Sequence, residues 1–186
     1  MLFPVESETV EAEDFIMSVP VPTGPTGGGG APVLPIVGSS NNVPSITAVG
    51  NNVTLLTMAR AIPAGDYHVR ARIRGTMSGP PQQLSWWLNP FITPSIVYRQ
   101  WATYAGASLT QLGTLNSWPT QSQANGVTPV PASGNFILDL DMIALGLAAI
   151  AAGNAGIVML ASGAVAPNIA FAATAVWLEF QQIAAN

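Results

Sequence analysis

An all-β fold, an antiparallel β-sandwich preceded by an extended N-terminal arm, is what this sequence predicts, on three observations. The first is the stretch 62–75, I-P-A-G-D-Y-H-V-R-A-R-I-R-G, in which Pro63-Ala64-Gly65-Asp66 forms a turn and strict alternation follows. Tyr67, Val69, Ala71 and Ile73 fall on one face and His68, Arg70, Arg72 and Arg74 on the other, a period of two that belongs to a half-buried strand. The second is the return of that alternation in residues 135–144, with Phe136, Leu138, Leu140 and Met142 inward and Ile137, Asp139, Asp141 and Ile143 outward. The third is the spacing of further β-forming runs between Gly, Pro and Asn breakers.

Composition narrows the function before any motif does. Of the 186 residues only 8% are charged, against roughly 25% in an ordinary soluble domain. Surface so poor in charge is expected to be covered by other subunits. Lysine is absent and all five basic residues are arginine. Glu6, Glu8, Glu11, Glu13 and Asp14 crowd the first fourteen residues, which leaves four acids against five arginines in the rest. An acidic leader does not wrap a phosphate backbone, so no nucleic-acid partner is expected. The absence of cysteine excludes disulfides, thiolate chemistry and Cys-ligated metal. No basic-then-apolar segment opens the chain, so no secretion signal is expected.

Taken in order, residues 1–37 form a leader and linker, and residues 38–186 the sandwich domain. Two readings of the leader stand: a disordered tail, or an arm whose apolar residues Phe3, Val5, Phe15, Ile16 and Met17 dock on a neighbour. Thirty extended residues reach roughly 100 Å, enough to cross a subunit, and the apolar clusters beside the charges favour the arm. The breaker-rich run 20–30 lacks the every-third Gly of a collagen helix. Residues 33–37 suit a short edge strand, and residues 53–61 a strand rich in β-formers. Asn52-Val53-Thr54 matches a glycosylation sequon, read as chance without a secretion signal.

Residues 83–88 and 92–104 read as two more strands parted by Asn89-Pro90. Their aromatics, Trp86, Trp87, Tyr98, Trp101 and Tyr104, fall on both faces. Residues 106–133 read as a long polar surface excursion. Residues 142–178 carry no charge across thirty-seven positions. A membrane span is set aside because Gly146, Gly153, Asn154 and Gly156 interrupt the run and no Arg or Lys flanks it. A short Ala-rich helical turn at 147–152 and a strand at 157–161 are expected instead. The last strand, 173–183, puts Val176, Leu178 and Phe180 in the core and Ala175, Trp177, Glu179 and Gln181 on the other face. An outward indole is either tucked under a loop or a subunit contact, and contact is the favoured reading.

Chemistry-bearing clusters are few. Asp139 and Asp141, two apart on one strand face, fit a general acid/base pair of a hydrolase. They fit better a cross-strand ladder with Arg70, Arg72 and Arg74, because opposite charges on facing strands stabilise a sheet. Failing that ladder, the acidic arm of a second copy would serve the arginines. His68, the single histidine, has neither the triad companions nor the co-ligands that catalysis or metal binding needs, and is read as a surface or interface residue. No G-x-S-x-G occurs and a P-loop is excluded without lysine. No enzyme activity, cofactor or metal is expected.

The turn and strand Ile62-Pro63-Ala64-Gly65-Asp66-Tyr67, with the closing Ala175-Val176-Trp177-Leu178-Glu179-Phe180, resembles early and last strands of trimeric jelly rolls of the C1q and tumour-necrosis-factor type. Such jelly rolls also occur in phage head-decoration proteins and fibre tips. The resemblance spans residues 53–183 and implies a jelly-roll sandwich in a structural virion protein, a trimeric capsid decoration protein on the surface of a tailed-phage head. Its partners would be copies of itself and a major capsid or other virion protein. A receptor- or carbohydrate-binding fibre tip is the alternative. The subunit interface is expected at Trp177, Glu179, Arg70, Arg72, Arg74, Trp101 and Tyr104.

Overall fold

The computed structural model describes residues 34–40, 42–78, 82–90, 92–106, 108–114, 117–120, 128–130, 133–163, 166–172 and 174–185. The expected arm residues Phe3, Val5, Phe15, Ile16 and Met17 lie outside the described residues. Among the described residues eleven strands follow one another: β1 Ile36–Ser40, β2 Asn52–Thr57, β3 Gly65–Ser78, β4 Gln82–Asn89, β5 Ser95–Ala105, β6 Ser108–Thr114, β7 Thr128–Val130, β8 Ser133–Leu147, β9 Gly156–Ser162, β10 Ile169–Ala170 and β11 Val176–Ala185. They build an antiparallel sandwich. One sheet has seven strands in the order β1-β11-β3-β8-β5-β6, with the short β10 also on β3, and the other has four in the order β2-β9-β4-β7. With β5, β6 and β10 set aside, the pairings nest: β1 with β11, β2 with β9, β3 with β8, β4 with β7.

The alternating stretch is the centre of the large sheet. β3 pairs with β11 on one side and β8 on the other. Its burial alternates as its sequence does, with Tyr67, Val69, Ala71, Ile73 and Met77 closed off. Beside them on the same face of the sheet, in the same core, are Phe136, Leu138, Leu140 and Met142 of β8, and Val176, Leu178 and Phe180 of β11. The four-stranded sheet adds Leu84, Trp86 and Leu88 from β4 and Ile157, Met159 and Ala161 from β9. Apolar burial at roughly 25 cal/mol per Å² makes this shared layer the main source of stability. Trp87 and Val158, paired across β4 and β9, point away from that layer and are also buried.

The turn that launches β3 is anchored at both ends. The Tyr67 hydroxyl donates to the Pro63 carbonyl at 2.9 Å, and the Asp66 carboxylate accepts from the Gly146 amide at 2.7 Å, tying the turn to the end of β8. Tyr67 also meets Phe180 edge to face, with ring centroids 5.9 Å apart. Burial raises the Tyr67 hydroxyl above its usual pKa.

Two expectations need correction. Within 106–133, residues Ser108–Thr114 form β6 and pair antiparallel with β5, and Thr128–Val130 form β7 on β4. Trp118 is buried in the core, and Pro119 accepts a hydrogen bond from the Leu88 amide at 3.0 Å. The region therefore holds a strand extension of the large sheet and a segment tethered to β4, with residues 107, 115–116, 121–127 and 131–132 outside the described set. At 147–152 the structure has no helical turn. Ile150 and Ile62 instead exchange backbone hydrogen bonds of 2.8 and 2.9 Å as an isolated bridge. Burial of Leu147 and Ile150 in the core wins over the helix propensity of alanine there.

Close packing gives a direct test. A Cβ on Gly75 would sit 2.3 Å from Cζ of Phe136, across the β3–β8 pair. Gly75→Ala should cost about 1–3 kcal/mol through overpacking. Adding Phe136→Leu should recover part of that loss rather than add to it; urea unfolding midpoints of the three variants measure both effects.

Candidate functional site

Outward-facing side chains of the large sheet form cross-strand rows, because each strand alternates and the registers align. One row runs Val37, Glu179, Arg70, Asp141, Gln100, Thr114 from β1 to β6. The next runs Ser39, Trp177, Arg72, Asp139, Ala102, Leu112. On either side of these lie Gln181, His68, Ile143, Tyr98 and, at the other end, Arg74, Ile137, Tyr104, Leu109.

The expected ladder is present at one rung, Arg72 with Asp139, and its other members take different partners. Arg72 pairs with Asp139 through two hydrogen bonds, Nε to Oδ1 at 2.5 Å and a terminal nitrogen to Oδ2 at 2.9 Å. Those bonds hold the Arg72 guanidinium above its usual pKa, against a smaller opposing effect of desolvation. Arg70 turns the other way, to Glu179 on β11 at 2.7 Å. Asp141 is thereby left to His68, which it meets diagonally at 2.8 Å. Arg74, expected in the ladder, is exposed and has no carboxylate partner among the described residues. Its direct neighbour on β8 is Ile137 rather than an acid. Glu179 is thus a ladder member that sequence reasoning assigned only to the interface, and His68 a second that it left unpaired.

Trp177 and Tyr104 are on this face and half-buried. Trp101 is not. It stands on the inner side of β5, 8% exposed, with its indole stacked over Gly113 so closely that a Cβ there would clash at 2.0 Å. Arg99, on the same inner side and fully buried, lies 5.2 Å from the Trp101 ring centre and donates to the Ser117 carbonyl at 2.7 Å. Burial lowers the Arg99 pKa to about 10, and the ring face and carbonyl compensate part of that desolvation. Trp101 is therefore part of a buried cation's enclosure, a correction to its place in the expected interface.

The small side chain of Ala102 leaves a depression of about 300 Å³ in the face, bordered by Arg72, Asp139, Asp141, Gln100, Tyr104 and Trp177. It combines aromatic surface with paired charges and an amide. No group of three or more His, Asp or Glu side chains among the described residues is placed to hold a metal ion. No helix among them is long and apolar enough to cross a membrane.

Comparison with family models, curated proteins and solved structures finds no match for this chain. The functional reading therefore rests on the geometry of this face.

The Arg72–Asp139 pair is partly exposed, so its contribution is expected to be modest. A double-mutant cycle of Arg72→Met and Asp139→Asn should give a coupling of about 0.5–1 kcal/mol. In 1 M salt, where the screening length falls to about 3 Å, the coupling should drop by half or more. Denaturant unfolding of the four proteins checks it.

Proposed function

We propose that this is a structural assembly protein, a jelly-roll subunit that decorates the head of a tailed phage as a trimer, and that it works by binding rather than catalysis. The nested strand pairing supports the jelly-roll reading, since pairing first with last and inward is what rolling up one long hairpin produces. The observation that carries the assembly reading is the outer face itself. Apart from Arg74 its charged groups are paired among themselves, and beside them lie Trp177, Tyr104, Ile137, Leu109 and Leu112, half-buried or exposed. A face of neutralised ion pairs fringed by aromatic and aliphatic side chains matches the make-up of a protein interface, aromatic and Arg-rich with few free charges. Partners that bind only the folded subunit would stabilise both sides by mass action.

Sedimentation and native mass of the purified chain, with localisation on a particle, test this reading. Trp177→Ala should weaken association by about 2 kcal/mol or more while leaving the fold intact. A monomer at high concentration that joins no shell would end it.

The depression at Ala102 favours a second reading, a saccharide-binding fibre tip. Trp177 and Tyr104 offer flat apolar surface for a sugar ring, and Gln100, Asp141 and Arg72 offer hydroxyl partners. Glycan binding that disappears in Ala102→Phe, with oligomeric mass unchanged, would establish it. No binding across a broad glycan panel would dismiss it.

A further inference from the structure

We propose that β6 is an open sheet edge built to pair with the β6 of a second copy, so that two large sheets join into one across a two-fold axis. β6 pairs with β5 on one side, and no strand among the described residues pairs with the other. That second side carries backbone donors and acceptors in a row, which is a template for strand addition.

Proteins that keep such an edge single protect it with charge, proline or inward-pointing ionic groups. β6 has none of these: Ser108-Leu109-Thr110-Gln111-Leu112-Gly113-Thr114 contains no charged residue and no proline. The lack of charge extends from Gln100 through Leu138, so two copies of this hairpin meet without electrostatic opposition. That neutrality favours a like partner over a charged one.

The one irregularity in the strand adds to the same contact. The register shifts between Thr103 and Tyr104, opposite Gln111 and Leu109, which makes Thr110 the extra residue of a bulge. The Thr110 hydroxyl donates to the Thr103 carbonyl at 3.0 Å and holds it. The bulge puts Leu109 and Leu112, three apart, on the same outer face, where they are 53% and 55% exposed beside Tyr104 and Ala102. Antiparallel pairing of two β6 strands about Gln111 would bring the leucines of both copies together over the new seam. A pair of antiparallel edges closes on itself, so the contact yields a finite dimer rather than a filament. Seven residues a side are fewer than the twenty to thirty of a standard interface, so the association is concentration-dependent.

This contact uses the edge rather than the face, so it does not rest on the virion reading and coexists with a three-fold contact elsewhere. The chain's lack of cysteine makes the test clean, because a single introduced thiol can only cross-link between copies. Gln111→Cys should oxidise to a disulfide-linked dimer, since antiparallel neighbours bring their Cα atoms to about 4.5–5.5 Å, within disulfide reach. Val37→Cys, on the opposite sheet edge, should link at least tenfold more slowly. In sedimentation, Leu109→Lys with Leu112→Lys should raise the dissociation constant of the doubled species at least tenfold. Circular dichroism should be unchanged, both positions being exposed. Equal cross-linking at both edges, or a mass unaffected by the lysines, would overturn the proposal.

Discussion

The register of β3 against β8 and β11 is the constraint on which the rest of the sandwich depends. A slip of one residue would turn Arg70 and Arg72 into the core and Val69, Ala71 and Ile73 out to solvent. Burying even one unpaired guanidinium costs several kcal/mol, so the alternation excludes every odd slip. The ion pairs lie on the outside of this lock and contribute less to stability than to specifying it. Arg72 can make its two bonds to Asp139 only if the strands are aligned as they are.

That alignment explains which features were legible in the chain. β3, β8 and β11 are long and keep their period, so both faces of each could be assigned from the residues alone. The partners within the ladder could not. Arg70 sits between Asp141 on one neighbour and Glu179 on the other, and its sequence neighbourhood does not say which strand lies on which side. Once Arg70 turns to Glu179, Asp141 is left to His68, and both results follow from strand order rather than from local pattern. β6 was hidden for a different reason. Its bulge at Thr110 breaks the period of two, and its Ser, Thr, Gln and Gly composition is that of a loop. Trp101 and Tyr104 were grouped as contacts although three residues apart in one strand, a spacing that sends them to opposite faces. In the Ala-rich run local helix propensity favours a helical turn, and the core contacts of Leu147 and Ile150 override it.

Charge is scarce in this protein, and its placement is uneven. Among the described residues, Arg70, Arg72, His68, Asp139, Asp141 and Glu179 gather on β3, β8 and β11, and pair with one another. The hairpin β5–β6 extends the same face with Tyr98, Gln100, Ala102, Tyr104, Leu109 and Leu112. The face is thus divided along the β8–β5 boundary into an ionic half and an uncharged half. Such a division has a physical consequence for binding. The ionic half, its groups already paired but for Arg74, resists dehydration because each paired group would lose water without gaining a new partner. The uncharged half loses little on dehydration and gains apolar burial, so contact should begin there.

The nested strands on their own leave no need for that uncharged half. β1, β2, β3, β4, β7, β8, β9 and β11 pair into a complete sandwich, and β5 with β6 is an addition to the β8 edge. β5 is paid for by its inner side, where Arg99, Trp101 and Thr103 are buried and Trp101 packs on Gly113. That enclosure rigidifies the hairpin, since a desolvated guanidinium held against a ring and a carbonyl tolerates little movement. On its other edge β6 has no strand partner among the described residues. An uncharged strand at the margin of a sheet costs the fold its ordering entropy, and among the described residues it recovers ladder hydrogen bonds from β5 on one side only.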